Sequence, residues 1–424
     1  MNSGILRTSS PRFRIYYGWY ILFACFFLLF FQAGARFSFG IMFKPMIVQF
    51  GWDRASISLA FFLNMIFFAL TLSIAGRLYD RYGPKWVIVV STLFLSAGYS
   101  CISFIDTLWE LHFYYGILAA IGTGGASVPL IAAMISKWFK KNRGLAISLA
   151  LSGNCIGQFV LVPLFSDVVL DYGWRASYLF TGLIILVVNT TLVLSVIKGA
   201  PEDPGLKSCP HKNPPDAMQT NRSHVSASGT IDLTLKEAMK TSSFWLFLIV
   251  MFVCGSGDFL VTTHLVPMVT DFNISPAVAA DMLGWFGLLS MGGMLVAGPA
   301  SDRIGSKIPI ALTFMLRLVL FVLILHYQNL LTFYIFATAF GFTFLITAPL
   351  TTTLVGKLYG FSHLGLISGF ITMVHHLGGG LWAYLGGLIF DKTGSYYWSF
   401  IISAGMAGIA VVCTFLIKER RCQV

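Results

Sequence analysis

The stretch Gly76-Arg-Leu-Tyr-Asp-Arg-Tyr-Gly-Pro-Lys85 occurs a second time, degraded, as Gly298-Pro-Ala-Ser-Asp-Arg-Ile-Gly-Ser-Lys307. The shared core is G-x-x-x-D-R-x-G-x-K, and the copies stand 222 residues apart in a chain of 424. Each copy follows one long apolar run and precedes another, so a short charged turn joins two apolar segments in both places. Other positions keep the offset. Pro129-Leu130 matches Pro349-Leu350, Gly144-Leu145 matches Gly365-Leu366, Gly157 matches Gly378, and Asp171 matches Asp391. The chain therefore reads as two similar halves in the same orientation.

Composition identifies the solvent. The chain is 57% hydrophobic and 11% charged, whereas a soluble domain carries roughly 25% charged residues. So little charge cannot cover a water-facing surface, and the bilayer is the expected environment. A span needs about 20 mostly apolar residues. Twelve such segments are expected, near 16–42, 54–76, 86–105, 109–136, 144–166, 176–197, 243–270, 278–300, 308–326, 330–356, 364–390 and 396–417.

Charge predicts the orientation. With both termini cytoplasmic, 22 of the 28 Lys and Arg residues fall inside and four fall outside: Lys44, Arg54, Arg175 and Lys392. Arg36 and Arg317 lie within spans. This is the positive-inside pattern. It also accounts for the net charge of +11 through topology and anionic lipid, so no nucleic-acid partner is expected. The first apolar run is too long for a cleavable signal and reads as an uncleaved span. The seven cysteines form no C-x-x-C, and neither disulfides nor a metal site is expected.

The expected organisation is a six-span half over 1–197, a polar cytoplasmic linker over 198–242 and a second six-span half over 243–424. The linker is rich in Pro, Ser and Thr. Within it, residues 231–241 suit a short amphipathic helix at the membrane surface. The fold class is an all-α membrane protein of two pseudo-symmetric six-helix bundles.

These residues resemble the major facilitator superfamily, whose signature turn matches 76–85. Three further stretches resemble its monocarboxylate porters and bacterial oxalate/formate-type members. They are Tyr17-Gly-Trp19, Phe50-Gly-Trp-Asp-Arg-Ala-Ser-Ile57 and Trp138-Phe-Lys-Lys-Asn-Arg-Gly-Leu-Ala146. The resemblance implies a secondary transporter working by alternating access, with a small-molecule solute and protons as partners, no cofactor, and a monomer in the plasma membrane (the inner membrane if the source is bacterial). The chain also departs from the pattern. Tyr17 replaces the acidic residue that the animal porters carry before span 1. The middle of span 8, Gly284 to Ala297, lacks their Asp and Arg. Span 5 keeps Gly153 and Gly157 of the antiporter motif and loses the rest.

Charges within a span cost roughly 2.5–3.5 kcal/mol on insertion scales, so they are functional candidates. Arg36 falls on a small, polar stripe of span 1 with Gly18, Cys25, Gln32 and Gly40. A guanidinium grips a carboxylate through two parallel bonds. Asp258 is its repeat counterpart, 222 residues on. The pair is expected to face across a central cavity, either bonded to each other or both reaching solute or proton. His264 is a candidate proton relay, a carbonyl-bonded histidine being the alternative. Asn154 and Gln158 form an i, i+4 pair on span 5, and Asn154 matches His375 on span 11. Only one of His375 and His376 is expected to see the cavity, and His375 is preferred. Arg317 is expected to hold a polar group in its own half. Gly76, Asp80, Arg81, Gly83, Asp302 and Arg303 are expected to serve conformational change, not solute contact. H-E-x-x-H, G-x-S-x-G and a phosphate-binding loop are absent, so no enzyme is read and any energy comes from a gradient.

The solute these residues favour is a small carboxylate taken up by proton symport. Arg36, Gln32, Asn154, Gln158 and His375 would contact it, and Asp258 and His264 would carry protons. Transport of a larger metabolite such as a siderophore is the alternative, and a non-transporting sensor is the alternative of a different class.

Overall fold

The computed structural model describes residues 16–139, 143–197, 233–360 and 363–418. Residues 198–232 of the expected linker, Cys209, Cys422 and the expected cytoplasmic termini lie outside it. The described chain is almost wholly helical. Its membrane spans are Gly18–Phe50, Arg54–Tyr82, Pro84–Ile102, Leu108–Trp138, Gly144–Val196, Ser242–Asp271, Pro276–Ile304, Lys307–His326, Leu330–Tyr359, Leu364–Thr393 and Tyr397–Leu416. The 53-residue segment Gly144–Val196 breaks at Gly173, where φ is +82° and ψ is 163°. It is therefore two spans, 5 and 6, and the described residues hold twelve. Spans 7 to 12 follow in the order given. Of the expected surface helix, one turn is seen, Leu235–Ala238, held by a capping box in which Thr234 and Glu237 bond reciprocally.

The repeat recurs in backbone detail. Span 2 ends at Gly83 (φ +79°) and span 8 at Gly305 (φ +79°). This conformation penalises any Cβ, which is why each charged turn carries glycine there. Gly51 sits at φ +70°, and its counterpart 222 residues on, Asn273, is the one described non-glycine residue with positive φ (59°). Span 2 is N-capped by Asp53, which accepts from Ser56 N, and span 8 by Ser275, which accepts from Val278 N. Even the motif lysines match. Lys85 Nζ donates to Leu194 O at the end of span 6 (2.9 Å), and Lys307 Nζ donates to Phe415 O (3.1 Å) and Ile417 O at the end of span 12. A cation there satisfies carbonyls that the helix leaves unpaired.

Small residues set the spacing of the spans. A side chain at Gly157 would collide with Phe30 O, and one at Gly378 would lie 2.7 Å from Phe252 O. The same contact thus binds span 1 to span 5 and span 7 to span 11.

Spans 2 and 11 pack against each other, as do spans 5 and 8, and these pairs join the halves. The apolar clusters show where. One core mixes Ala33, Phe37 and Ile41 of the first half with Leu260, Phe286 and Phe344 of the second. Another brings Phe259 and Ala383 in among first-half residues. Toward the charged turns the cores separate. One holds only first-half residues, such as Leu22, Tyr79 and Trp138, and another only second-half residues, such as Phe244, Leu354 and Ile417. The halves are therefore closed together on the face away from the charged turns and part on the face that carries them.

Candidate functional site

The closed face is held by ions. Arg54, at the start of span 2, donates from Nη2 to both oxygens of Asp271 on span 7 (3.0 and 2.8 Å) and from Nη1 to Tyr396 Oη (2.7 Å). Lys44 adds a second bridge to Asp271 (3.0 Å). Asp391 on span 11 accepts from the backbone N–H groups of Arg54 (3.0 Å) and Ala55 (2.7 Å), so the second half caps a helix of the first. On the opposite face Asp80, Arg81, Asp302 and Arg303 are all exposed, and no ion pair joins the two charged turns among the described residues.

His264 belongs to the closed face. Its Nε2 lies 2.8 Å from Ala383 O and its Nδ1 2.9 Å from Tyr396 Oη, with 2% of the residue exposed. Tyr396 is already the acceptor for Arg54, so its hydroxyl hydrogen is free to point at Nδ1. His264 is thus carbonyl-bonded and closed off, which corrects the expectation of a relay reaching the cavity in this state.

Asp258 is not Arg36's partner. It is buried in the second half, where its Oδ1 makes a 2.6 Å ion pair with Arg317 Nη2 and its Oδ2 lies 3.1 Å from His375 Nε2. Cys254 Sγ is 3.5 Å from the same Oδ2. Arg317 is tied further to Thr343 Oγ1 (2.9 Å), Thr343 O (3.0 Å) and Cys254 O (3.2 Å). Equal depth on facing spans did not mean facing side chains: residue 258 points back toward spans 9 and 10. The partner of Arg317 lies in its own half and is this carboxylate.

Arg36 stands apart from these pairs. Its guanidinium carbon lies 5.1 Å from the Phe259 ring centroid on span 7 and 5.5 Å from that of Phe68 on span 2. Its Nη2 reaches Met65 Sδ at 3.4 Å, a weak acceptor, and its buried Nε has no hydrogen-bond partner. No carboxylate touches it among the described residues. An arginine so placed is an anion site lacking its anion.

Two proposed solute contacts are withdrawn. Gln32 is 7% exposed and donates to Thr123 O of span 4 (3.0 Å), so the polar stripe of span 1, with buried Cys25, faces protein. Gln158 is 1% exposed and donates to Leu283 O of span 8 (2.9 Å), a tie between halves. Asn154 is half-buried. The two histidines exchange places relative to the expectation. His375 turns to Asp258, while His376 lies beside Phe68 (ring centroids 5.0 Å apart) and Phe259 (5.6 Å), the rings that flank Arg36. The pairing of Asp258 with Arg317 carried no linear signal.

The fold and the charged turns together define a membrane transporter built from two repeated halves. Residues 25–269 and 247–422 match the Major Facilitator Superfamily, and the chain belongs to it. It is 24% identical to the uncharacterized MFS-type transporter YcxA of Bacillus subtilis, over 97% of this chain and 98% of that one. It is 26% identical to monocarboxylate transporter 13 of Rattus norvegicus, over 94% of this chain and 89% of that one. Among solved structures it resembles a bacterial homolog of the human lysosomal transporter Spinster, with a TM-score of 0.75, 15% identity, and 97% and 100% of the two chains covered. Membership makes it a multi-pass membrane protein of a transporter family, not an enzyme.

Proposed function

We propose that this protein carries a small organic anion, a carboxylate, across the membrane by alternating access, taking it up together with protons. The observation that carries the reading is the charge balance at mid-membrane. Asp258 is neutralised by Arg317 and bonded to His375, while Arg36 has no counter-charge among the described residues. A buried cation left uncompensated is costly, and a transported carboxylate would supply the missing charge through two parallel N–H bonds. The likeness to a monocarboxylate transporter supports the same solute class.

The parted face supports the transport cycle. With 22 of 28 basic residues on the side of the charged turns, that side is the cytoplasm in this reading, and the conformation is open inward. The ion network of Lys44, Arg54, Asp271 and Asp391 is then the external gate.

The test is uptake into proteoliposomes of formate, lactate, pyruvate and oxalate, with and without a pH gradient. Saturable flux of one of them, stimulated by internal alkalinity, is the expected result. Flux of a neutral or cationic solute with none of the carboxylates would sink the reading.

A further inference from the structure

Arg36 and His376 grip the same two rings from opposite halves of the molecule. Arg36 lies 5.5 and 5.1 Å from the centroids of Phe68 and Phe259, and the His376 ring lies 5.0 and 5.6 Å from them. His376 Nδ1 is 2.8 Å from Thr372 O, which accepts its proton. That bond fixes the tautomer and leaves Nε2 as the nitrogen that can gain a proton. Nε2 has no protein partner among the described residues. The groups around this ring can be named from each element. Span 1 supplies Arg36, span 2 supplies Phe68, span 7 supplies Phe259, and its own helix supplies His375, whose ring centroid is 5.2 Å away and whose Nε2 faces Asp258. No carboxylate among the described residues touches His376.

Resting on the anion reading above, we propose that His376 is the second contact of the anion site: one carboxylate oxygen binds Arg36 of the first half, and the other accepts a hydrogen bond from protonated Nε2 of His376 in the second. The proton comes from water to the Nε2 lone pair, and no other bond forms or breaks. A neutral imidazole there would present its lone pair to the carboxylate and repel it, so binding of the anion and of one proton are linked. Because the two contacts come from different halves, the bound anion also ties them together across Phe68 and Phe259.

Calorimetric titration of the purified full chain with lactate and with oxalate, at pH 7 in two buffers of different ionisation enthalpy, counts the protons taken up. Wild-type protein should take up close to one proton per anion bound. His376→Gln should bind about tenfold more weakly, the loss of one charge-assisted bond, and with no proton uptake. His375→Gln should keep the proton count. If His376→Gln binds the anion with an unchanged proton count, or if His375→Gln abolishes the count in its place, the assignment to His376 is overturned while the anion reading stands. If neither anion binds the well-folded wild type, the anion reading itself fails and takes this one with it. Arg36→Gln separates the two contacts: loss of binding in a folded variant leaves Arg36 as anchor, whereas retained proton-linked binding would place the anion elsewhere.

Discussion

Asp391 caps a helix that belongs to the other half of the protein: its carboxylate accepts from the backbone N–H of Arg54 (3.0 Å) at the first turn of span 2. Span 2 has its own N-cap in Asp53, so the second carboxylate is not needed for local helix formation. Its bonds exist only while the two halves are closed on this face. The positive end of the helix favours a carboxylate there. Asp391→Asn keeps one acceptor and loses the charge, at a cost of about 1–2 kcal/mol. The closed state should be depopulated roughly tenfold. A single cysteine at Ser58, fully buried in this structure, should then label about ten times faster with a thiol reagent in nanodisc-reconstituted protein. An unchanged labelling rate would show that the cap does not hold the face closed.

Arg317 and Arg36 should respond differently to removal. Arg317→Gln leaves Asp258 buried without its main counter-charge, which costs about 3–5 kcal/mol. We expect a large fall in melting temperature and poor recovery of monodisperse protein, with partial rescue in Arg317→Gln/Asp258→Asn. Arg36→Gln removes no ion pair and should melt close to wild type. Equal destabilisation by the two variants would mean that Arg36 has a structural partner after all.

At Arg36 itself, geometry should matter as much as charge. Lysine offers a point charge on a flexible stem and cannot reproduce the planar fork. Carboxylate uptake should therefore fall at least tenfold in Arg36→Lys, with expression preserved. Wild-type uptake by this variant would reduce the site to simple charge attraction.

Asp80 lies on the parted face and is exposed. If the charged turns meet when that face closes, Asp80→Asn should slow exchange across the membrane while leaving equilibrium solute binding within about twofold. Measuring both in one preparation decides it. A loss confined to affinity would count against a conformational role for the turn.

The proposed orientation has a direct check. In a cysteine-free background, Lys392→Cys should react with an impermeant thiol reagent applied to intact cells, and Asp216→Cys should react only after permeabilisation. The reverse pattern would invert the topology and, with it, the direction in which the structure is open.

The spans, the repeat and the charged turns were legible from the linear chain because each rests on local physics. Twenty apolar residues cross a bilayer wherever they occur, and a glycine after a helix is required by the φ of that one residue, as at Gly83 and Gly305. The twelve expected segments fall within several residues of the observed ones. The candidate site was legible only as a set of residues. Placing Arg36 opposite Asp258 used the repeat correctly, yet the repeat relates each residue to its own half and not to its counterpart. Symmetry that turns Asp258 toward Arg317 and Cys254 turns Arg36 toward the interior of the first half, where no acid waits. Which histidine meets Asp258 depends on about 100° of helix rotation, and which glutamines are buried depends on spans packed more than ninety residues away, as Gln32 is against Thr123 and Gln158 against Leu283. Those contacts are long-range, and only the tertiary structure could decide them.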